Sequence, residues 1–320
     1  MAAPELRAKS TQPRALAALG LLSLLWALGS LRSDLLGPIF HSWNLLPTFE
    51  CLALPLVLFA LAAAAFAVIR KSRWPRGLLL LDALLVSLGL FIAPGILLFL
   101  AGARVSDLTR VVLFSLTPVF ASVLEPHLGR TGNPQSAGSL VAPLIAVAGT
   151  LFLFPFDLPQ SLAAASAFAA VLLAVVCIAA ANCYAVRIAS FFPPAALLPF
   201  AVVASGAAAL AFAAIAICSG TSLPRLSTLL PELLWSTLID LPALALLFWL
   251  LRRLSATRMT TRFLIAPLFA NLIALALFHP STDLRAILGI LLVTIGSGWI
   301  LLTPHESPSS GTSQLNLPNE

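Results

Sequence analysis

Apolar runs of about twenty residues recur from Ala15 to Leu302, each long enough to cross a hydrocarbon core of roughly 30 Å. Ten spans fit the pattern: 15–35, 45–69, 77–100, 107–126, 137–155, 162–186, 194–218, 227–251, 261–279 and 284–303. The polar punctuation between them is short, which predicts a helical bundle with no domain outside the membrane. Residues 1–14 are expected to form an N-terminal tail. Arg7, Lys9 and Arg14 before an apolar run resemble a signal peptide, but the run shows no clear small-residue cleavage site. It therefore reads as a retained first helix. Residues 305–320, rich in Ser, Gly, Pro and Asn, read as a disordered tail.

The pattern repeats itself. Arg104-Val-Ser106 followed by Pro118-Val-Phe-Ala matches Arg253-Leu-Ser255 followed by Pro267-Leu-Phe-Ala, without a gap, at an offset of 149. Each copy leads into an apolar helix containing Gly149 or Gly296 and ending at Phe154-Pro155 or Thr303-Pro304. The expectation is a duplication, with residues 15–155 as a first five-helix repeat and 162–304 as a second. Five is odd, so the second copy would enter the membrane with inverted polarity. Inverted repeats are a recurring transporter architecture, with the site at the repeat interface.

Composition agrees with the pattern. Only 9% of residues are charged and 60% are hydrophobic, whereas a soluble domain carries about 25% charged residues. The net charge of +6 is spread between apolar runs and does not form a nucleic-acid patch. With the N-terminus inside, thirteen Lys and Arg fall on inner segments, Arg258 and Arg262 among them, against five on outer segments. That bias predicts a plasma (inner) membrane protein with both termini cytoplasmic. Cys51, Cys177, Cys183 and Cys218 all fall in apolar spans with no metal spacing, so no metal or cofactor is expected.

Several stretches resemble a known family. The five-plus-five layout, the Arg104-Val-Ser106 and Thr117-Pro-Val-Phe-Ala121 pattern and the glycine-bearing helix after it are similar to the EamA-type branch of the drug/metabolite transporter superfamily. Thr109-Arg110 leading into Leu113-Phe114 is similar to that family's helix four, and Ala181-Asn-Cys-Tyr-Ala-Val-Arg187 resembles the start of its second repeat. The resemblance covers about residues 15–304. The family's Leu-Gly-Glu-Arg motif is Leu128-Gly129-Arg130 here, with Glu125 upstream as a stand-in for the glutamate, and Phe278-His279-Pro280 lacks the motif. The resemblance implies secondary transport, often export, of small metabolites.

Ionisable groups at membrane depth are costly and usually face a cavity or a partner. Glu50 would either bind a substrate amine or proton or snorkel to the interface. Asp82, just after the basic loop Arg70–Arg76, reads as an interfacial partner of those arginines. Arg104, Asp107 and Arg110 cluster at an outer mouth, and Asp107 and Arg110 share a helix face. Glu232 and Asp240 lie eight apart, about 80° around an unbroken helix with Ser236 between them; Asp240 falls near mid-span, where a proton-coupling site is plausible. Asn182, Tyr184, Asn271 and its repeat mate Ser122 offer hydrogen bonds. Pro118 and Pro267 would break their helices at matched depth and mark a site.

The expected function is gradient-driven transport of a small organic metabolite by alternating access, since no nucleotide-binding motif is present. A homodimer is one arrangement open to it. The rival class is an integral-membrane enzyme such as an acyltransferase. That chemistry needs a base beside a nucleophile, and the four histidines (His41, His127, His279, His305) show no such arrangement; Pro280 would break a helix shared by His279 and Asp283. No enzymatic activity is expected.

Overall fold

A hydrocarbon slab offers backbone amides no partner, so an apolar run must satisfy its own N–H and C=O groups, and a helix does so. The computed structural model of the protein describes residues 3–31, 48–128, 140–191, 196–219, 226–279 and 283–303. The α-helices in them are α1 (Ala3–Ser30), α2 (Thr48–Ile69), α3 (Leu78–Ser87), α4 (Ala93–Ala101), α5 (Asp107–Phe114), α6 (Thr117–Leu128) and α7 (Val141–Leu153). After these come α8 (Leu162–Phe191), α9 (Leu197–Cys218), α10 (Leu226–Trp235), α11 (Leu241–Leu250), α12 (Ala256–Thr260), α13 (Arg262–Phe278) and α14 (Leu284–Leu302). Turns of π-helix, Leu88–Ile92 and Ser236–Asp240, join α3 to α4 and α10 to α11. Among the described residues, nine stretches are apolar and long enough to cross a membrane. The chain is a multi-pass helical membrane protein.

The expected span 137–155 corresponds to α7, whose 13 residues reach about 20 Å. Residues 137–139 of that span lie outside the described residues. Two boundaries differ from expectation. The first helix begins at Ala3, so it takes in most of the stretch read as the N-terminal tail; Ala, Leu, Arg and Lys there are good helix formers. The ninth span begins at Ala256 rather than 261, because the Ser255 side chain caps α12 by accepting from the Arg258 amide at 3.4 Å. Its counterpart Ser106 caps α5 in the same way, from Thr109 at 3.3 Å. Arg258 and Arg262, counted from sequence among the inner-segment arginines, are helical and buried.

The matched prolines act differently from each other. The fourth span breaks at Ser115-Leu116, just before Pro118, and the Thr117 hydroxyl donates to the Phe114 carbonyl that proline leaves without its amide partner, at 2.5 Å. Pro267 lies inside an uninterrupted α13; the break in that span falls earlier, at Thr261.

Small residues set the closest helix approaches. A Cβ on Gly149 would stand 2.6 Å from the Val293 backbone nitrogen, one on Gly296 2.6 Å from that of Ala146, and one on Gly289 2.9 Å from that of Leu153. Partners descend on α14 as they ascend on α7, so the two helices pack antiparallel. The other principal packings run α2 on α9, α4 and α6 on α8, α1 on α11 and α13, and α6 on α12. Alanines at the centre of α8 and α9 (Ala174, Ala179, Ala204, Ala208) are fully buried, which lets backbones come close where no hydrophobic effect drives association.

Candidate functional site

The first pieces of the site are the two π turns. Proline cannot donate to the carbonyl four residues back, and its ring collides with that turn. Pro94 and Pro242 each sit in the first turn after a π segment, and the extra residue in the turn relieves the conflict. The Ala93 amide bonds to the Leu88 carbonyl and the Leu241 amide to the Ser236 carbonyl, five residues back in both cases. These bends lie 148 residues apart and both face a cavity of about 870 Å³.

On one side the cavity is lined by Leu90, Phe91, Pro94 and Gly95, and on the other by Asp240, Ala243 and Leu244. Trp26 of α1, Pro55 of α2, Ile178 of α8 and Phe212 of α9 complete its walls. From mid-bundle it runs along Phe99 and Phe114 to Ser106, Asp107 and Arg110 at the turn between α4 and α5. Ser106 and Asp107 are exposed, so the cavity communicates with that end of the bundle.

At this mouth the expected pair forms: an Arg110 guanidinium nitrogen lies 3.2 Å from an Asp107 oxygen, and Arg110 also donates to the Gly102 carbonyl. Arg104 is exposed and does not line the cavity. Asp157, which the sequence reading passed over, joins the cap network: its amide donates to Thr109 Oγ1 at 3.1 Å and its carboxylate accepts from Ser106 Oγ at 3.0 Å.

Behind Trp26 lies Arg262, 1% exposed. Its guanidinium carbon is 4.9 Å from the Trp26 ring and 4.8 Å from the Phe263 ring, within the range of cation–π attraction. Nη2 donates to Asn182 Oδ1 at 3.2 Å and Nη1 to the Met259 carbonyl at 2.8 Å. Asn182 is thus a fully buried partner of an arginine and does not line the cavity.

Beyond that layer, contacts tie together segments distant in sequence. Glu125, 1% exposed, accepts from the amides of Ala256 at 3.0 Å and Thr257 at 3.1 Å and from the Thr257 hydroxyl at 2.6 Å. The carboxylate thereby satisfies amides at the start of α12, where helix geometry leaves donors unpaired. Arg258 donates to the Thr303 carbonyl. Ser122 bonds back to the Pro118 carbonyl at 2.8 Å and lies 3.4 Å from Thr257 Oγ1. Asp82 accepts from the Tyr184 hydroxyl at 2.5 Å, so its partner is a tyrosine of α8 and not the arginines of the neighbouring loop.

Of the residues singled out from sequence, the cavity gathers Asp240, Asp107 and Arg110. Ser122, Asn182, Tyr184, Asn271, Pro118 and Pro267 do not line it. Glu232 is buried and also outside the lining. The Glu50 side chain lies outside the described residues. The cavity's aromatic walls and the two π turns were missed; the readable signal was the pair Pro94 and Pro242, itself nearly one repeat apart.

No family model matches the chain, and no curated protein matches it in sequence. A solved crystal structure superposes on it with a TM-score of 0.71, covering 91% of this chain and 99% of the other at 16% identity. At that identity the likeness is one of fold.

Proposed function

We propose that the protein is a secondary transporter, working as an exporter, that moves a small organic solute across the plasma membrane by alternating access. The observation that carries this reading is the one-sided cavity. Its lining reaches the exposed Ser106 and Asp107 at one end, and on the proposed reading the contacts of Glu125, Arg258, Arg262 and Tyr184, none of which lines it, hold the other end closed. A volume of about 870 Å³ falls in the range of small-molecule pockets.

The proposed architecture is ten spans in two inverted halves, and three features support it. Phe114 and Phe263, 149 residues apart, contact each other with ring centroids at 5.7 Å, as residues beside a pseudo-twofold axis would. The antiparallel α7 and α14 are counterparts across the same axis. The remaining contacts come in mates, α1 on α13 with α8 on α6, and α1 on α11 with α8 on α4. Membership of the EamA-type branch and cytoplasmic termini belong to the same proposal and rest on the sequence resemblance and on the Lys and Arg bias.

Coupling is assigned to Asp240, a carboxylate at mid-bundle on the cavity wall. The test is exchange of labelled metabolites in proteoliposomes with and without a proton gradient. Transport is expected to respond to the gradient and to fall at least about tenfold in Asp240→Asn, as for removal of a functional intramembrane charge. Uptake indifferent to both would remove the coupling assignment, and an absence of exchange for every solute class would remove the transporter reading.

A further inference from the structure

We propose that the loop of residues 70–77, which joins α2 to α3 and lies apart from the cavity, holds the headgroup of an anionic phospholipid. Arg70, Lys71, Arg73 and Arg76 fall within seven residues with no acid between them, and all four are exposed. Asp82, the acid expected beside them, bonds the Tyr184 hydroxyl of α8 instead. Among the described residues Lys71, Arg73 and Arg76 form no ion pair, and Arg70 lies over the Phe66 ring at 4.4 Å. One carboxylate against four cations leaves the loop strongly positive. It sits at the end of the bundle where Glu125 meets α12, because Cys183, next to Tyr184, lies 3.6 Å from the Ala121 carbonyl of α6.

The loop has a set shape. Lys71 takes a left-handed backbone with φ 51°, its amide donates to the Val68 carbonyl at 2.9 Å, and that of Ser72 to Ala67 at 2.9 Å. These are the bonds that end a helix sharply. Gly77, also left-handed at φ 59°, accepts from the Leu80 amide at 3.1 Å, and Pro75 stiffens the stretch between. Charges held in place lose little freedom when a ligand arrives. The surroundings fit a lipid rather than a soluble anion. Exposed apolar side chains run up to the cations from both helices, Val68 and Ile69 on α2 and Leu78 and Leu79 on α3. Trp74 stands exposed among the cations, and tryptophan settles at the level of the headgroups. The cations thus lie where acyl chains give way to phosphates, and guanidinium groups pair well with phosphate oxygens.

The experiment is native mass spectrometry of the full-length protein in detergent micelles, titrated with dioleoyl phosphatidylglycerol and with dioleoyl phosphatidylcholine. The first phosphatidylglycerol is expected to bind at least about tenfold more tightly than the first phosphatidylcholine, whose headgroup carries no net charge. Arg73→Gln/Arg76→Gln should weaken phosphatidylglycerol about fivefold or more and leave phosphatidylcholine within about twofold. Arg73→Lys/Arg76→Lys, which keeps the charge, should hold phosphatidylglycerol within about threefold. Arg104→Gln/Arg285→Gln removes the same charge at the opposite end and should change phosphatidylglycerol binding by less than about twofold. Equal affinity for the two lipids overturns the proposal. So does full retention in Arg73→Gln/Arg76→Gln, or an equal loss in Arg104→Gln/Arg285→Gln. Should the first pair fail to fold, Arg73→Gln and Arg76→Gln decide singly, each expected to weaken phosphatidylglycerol about twofold or more. Retention in both overturns the site.

Discussion

Arg262 has the highest stakes of any single residue. A guanidinium taken out of water costs several kcal/mol unless its donors find acceptors and its charge finds compensation. Here compensation comes from two aromatic rings, a carbonyl and the Asn182 amide oxygen. Asn182 is held in turn by its own Nδ2 donating to the Ile178 carbonyl at 2.7 Å. Asn182→Leu removes the side-chain acceptor and leaves the charge buried, so a loss of about 1–3 kcal/mol is expected, more than for a neutral pair. Thermal unfolding in detergent would measure it, and a variant as stable as the native protein would show that Arg262 finds another acceptor. None of this was legible in the sequence. Arg262 stands at the edge of an apolar run beside Thr260 and Thr261, and from sequence it counts only as one of the inner-segment arginines. Its partner is 80 positions away, and no local pattern reports that contact.

Among the elements, the helix packings were partly legible and the helix bends were not. Gly149 and Gly296 stood out in sequence as features of matched helices, and the α7–α14 contact supplies their physical reason. A side chain at Gly296 would collide with the backbone nitrogen of Ala146, which cannot rotate away as a side chain would. Gly296→Leu is therefore expected to cost at least about 1–3 kcal/mol through overpacking, whereas Gly298→Ala, with nothing within 4 Å of the added Cβ, should change little. Comparing the two melting temperatures in detergent tests the claim, and equal effects would refute it. The π turns escaped notice because a wide turn leaves no signature beyond the proline that follows it, and many membrane helices hold a proline without one. Removing that proline gives a sharp expectation. Pro242→Ala restores an amide able to close an ordinary α turn, which would rotate Asp240 relative to the cavity. Stability should hold or rise, since proline is the poorest helix former, while the response of exchange to the proton gradient in proteoliposomes should weaken. A variant that keeps the full gradient response would mean that the π turn does not set the position of Asp240.

At the scale of the whole molecule, composition and run length were enough for the helical membrane class, because hydrocarbon admits little else. The location of the cavity was not, since Pro118 and Pro267 drew attention to α6 and α13, whereas in the fourth span the lining comes from α5, through Asp107, Arg110 and Phe114. Glu125 shows why. It was noted only as a stand-in for a motif glutamate, yet its carboxylate joins the end of α6 to the start of α12, more than 130 residues away. On the proposed alternating-access reading this junction must open, and its strength then biases which end is accessible. A charged hydrogen bond contributes about 1.5–3 kcal/mol, and every 1.4 kcal/mol shifts a two-state population about tenfold. Glu125→Ala should therefore raise the open fraction at this end by about tenfold or more. The measurement is the rate at which a membrane-impermeant thiol reagent labels a cysteine at Ser122, in a background with the native cysteines replaced, applied from the side of the membrane that α12 faces. Labelling is expected to accelerate in Glu125→Ala, and that of a cysteine at Ser106, on the cavity side, to slow as the open-mouthed state is depleted. Acceleration at both positions would indicate a loosened fold rather than a shifted equilibrium. An unchanged rate at Ser122 would mean that the Glu125 contact is not the closure that opens.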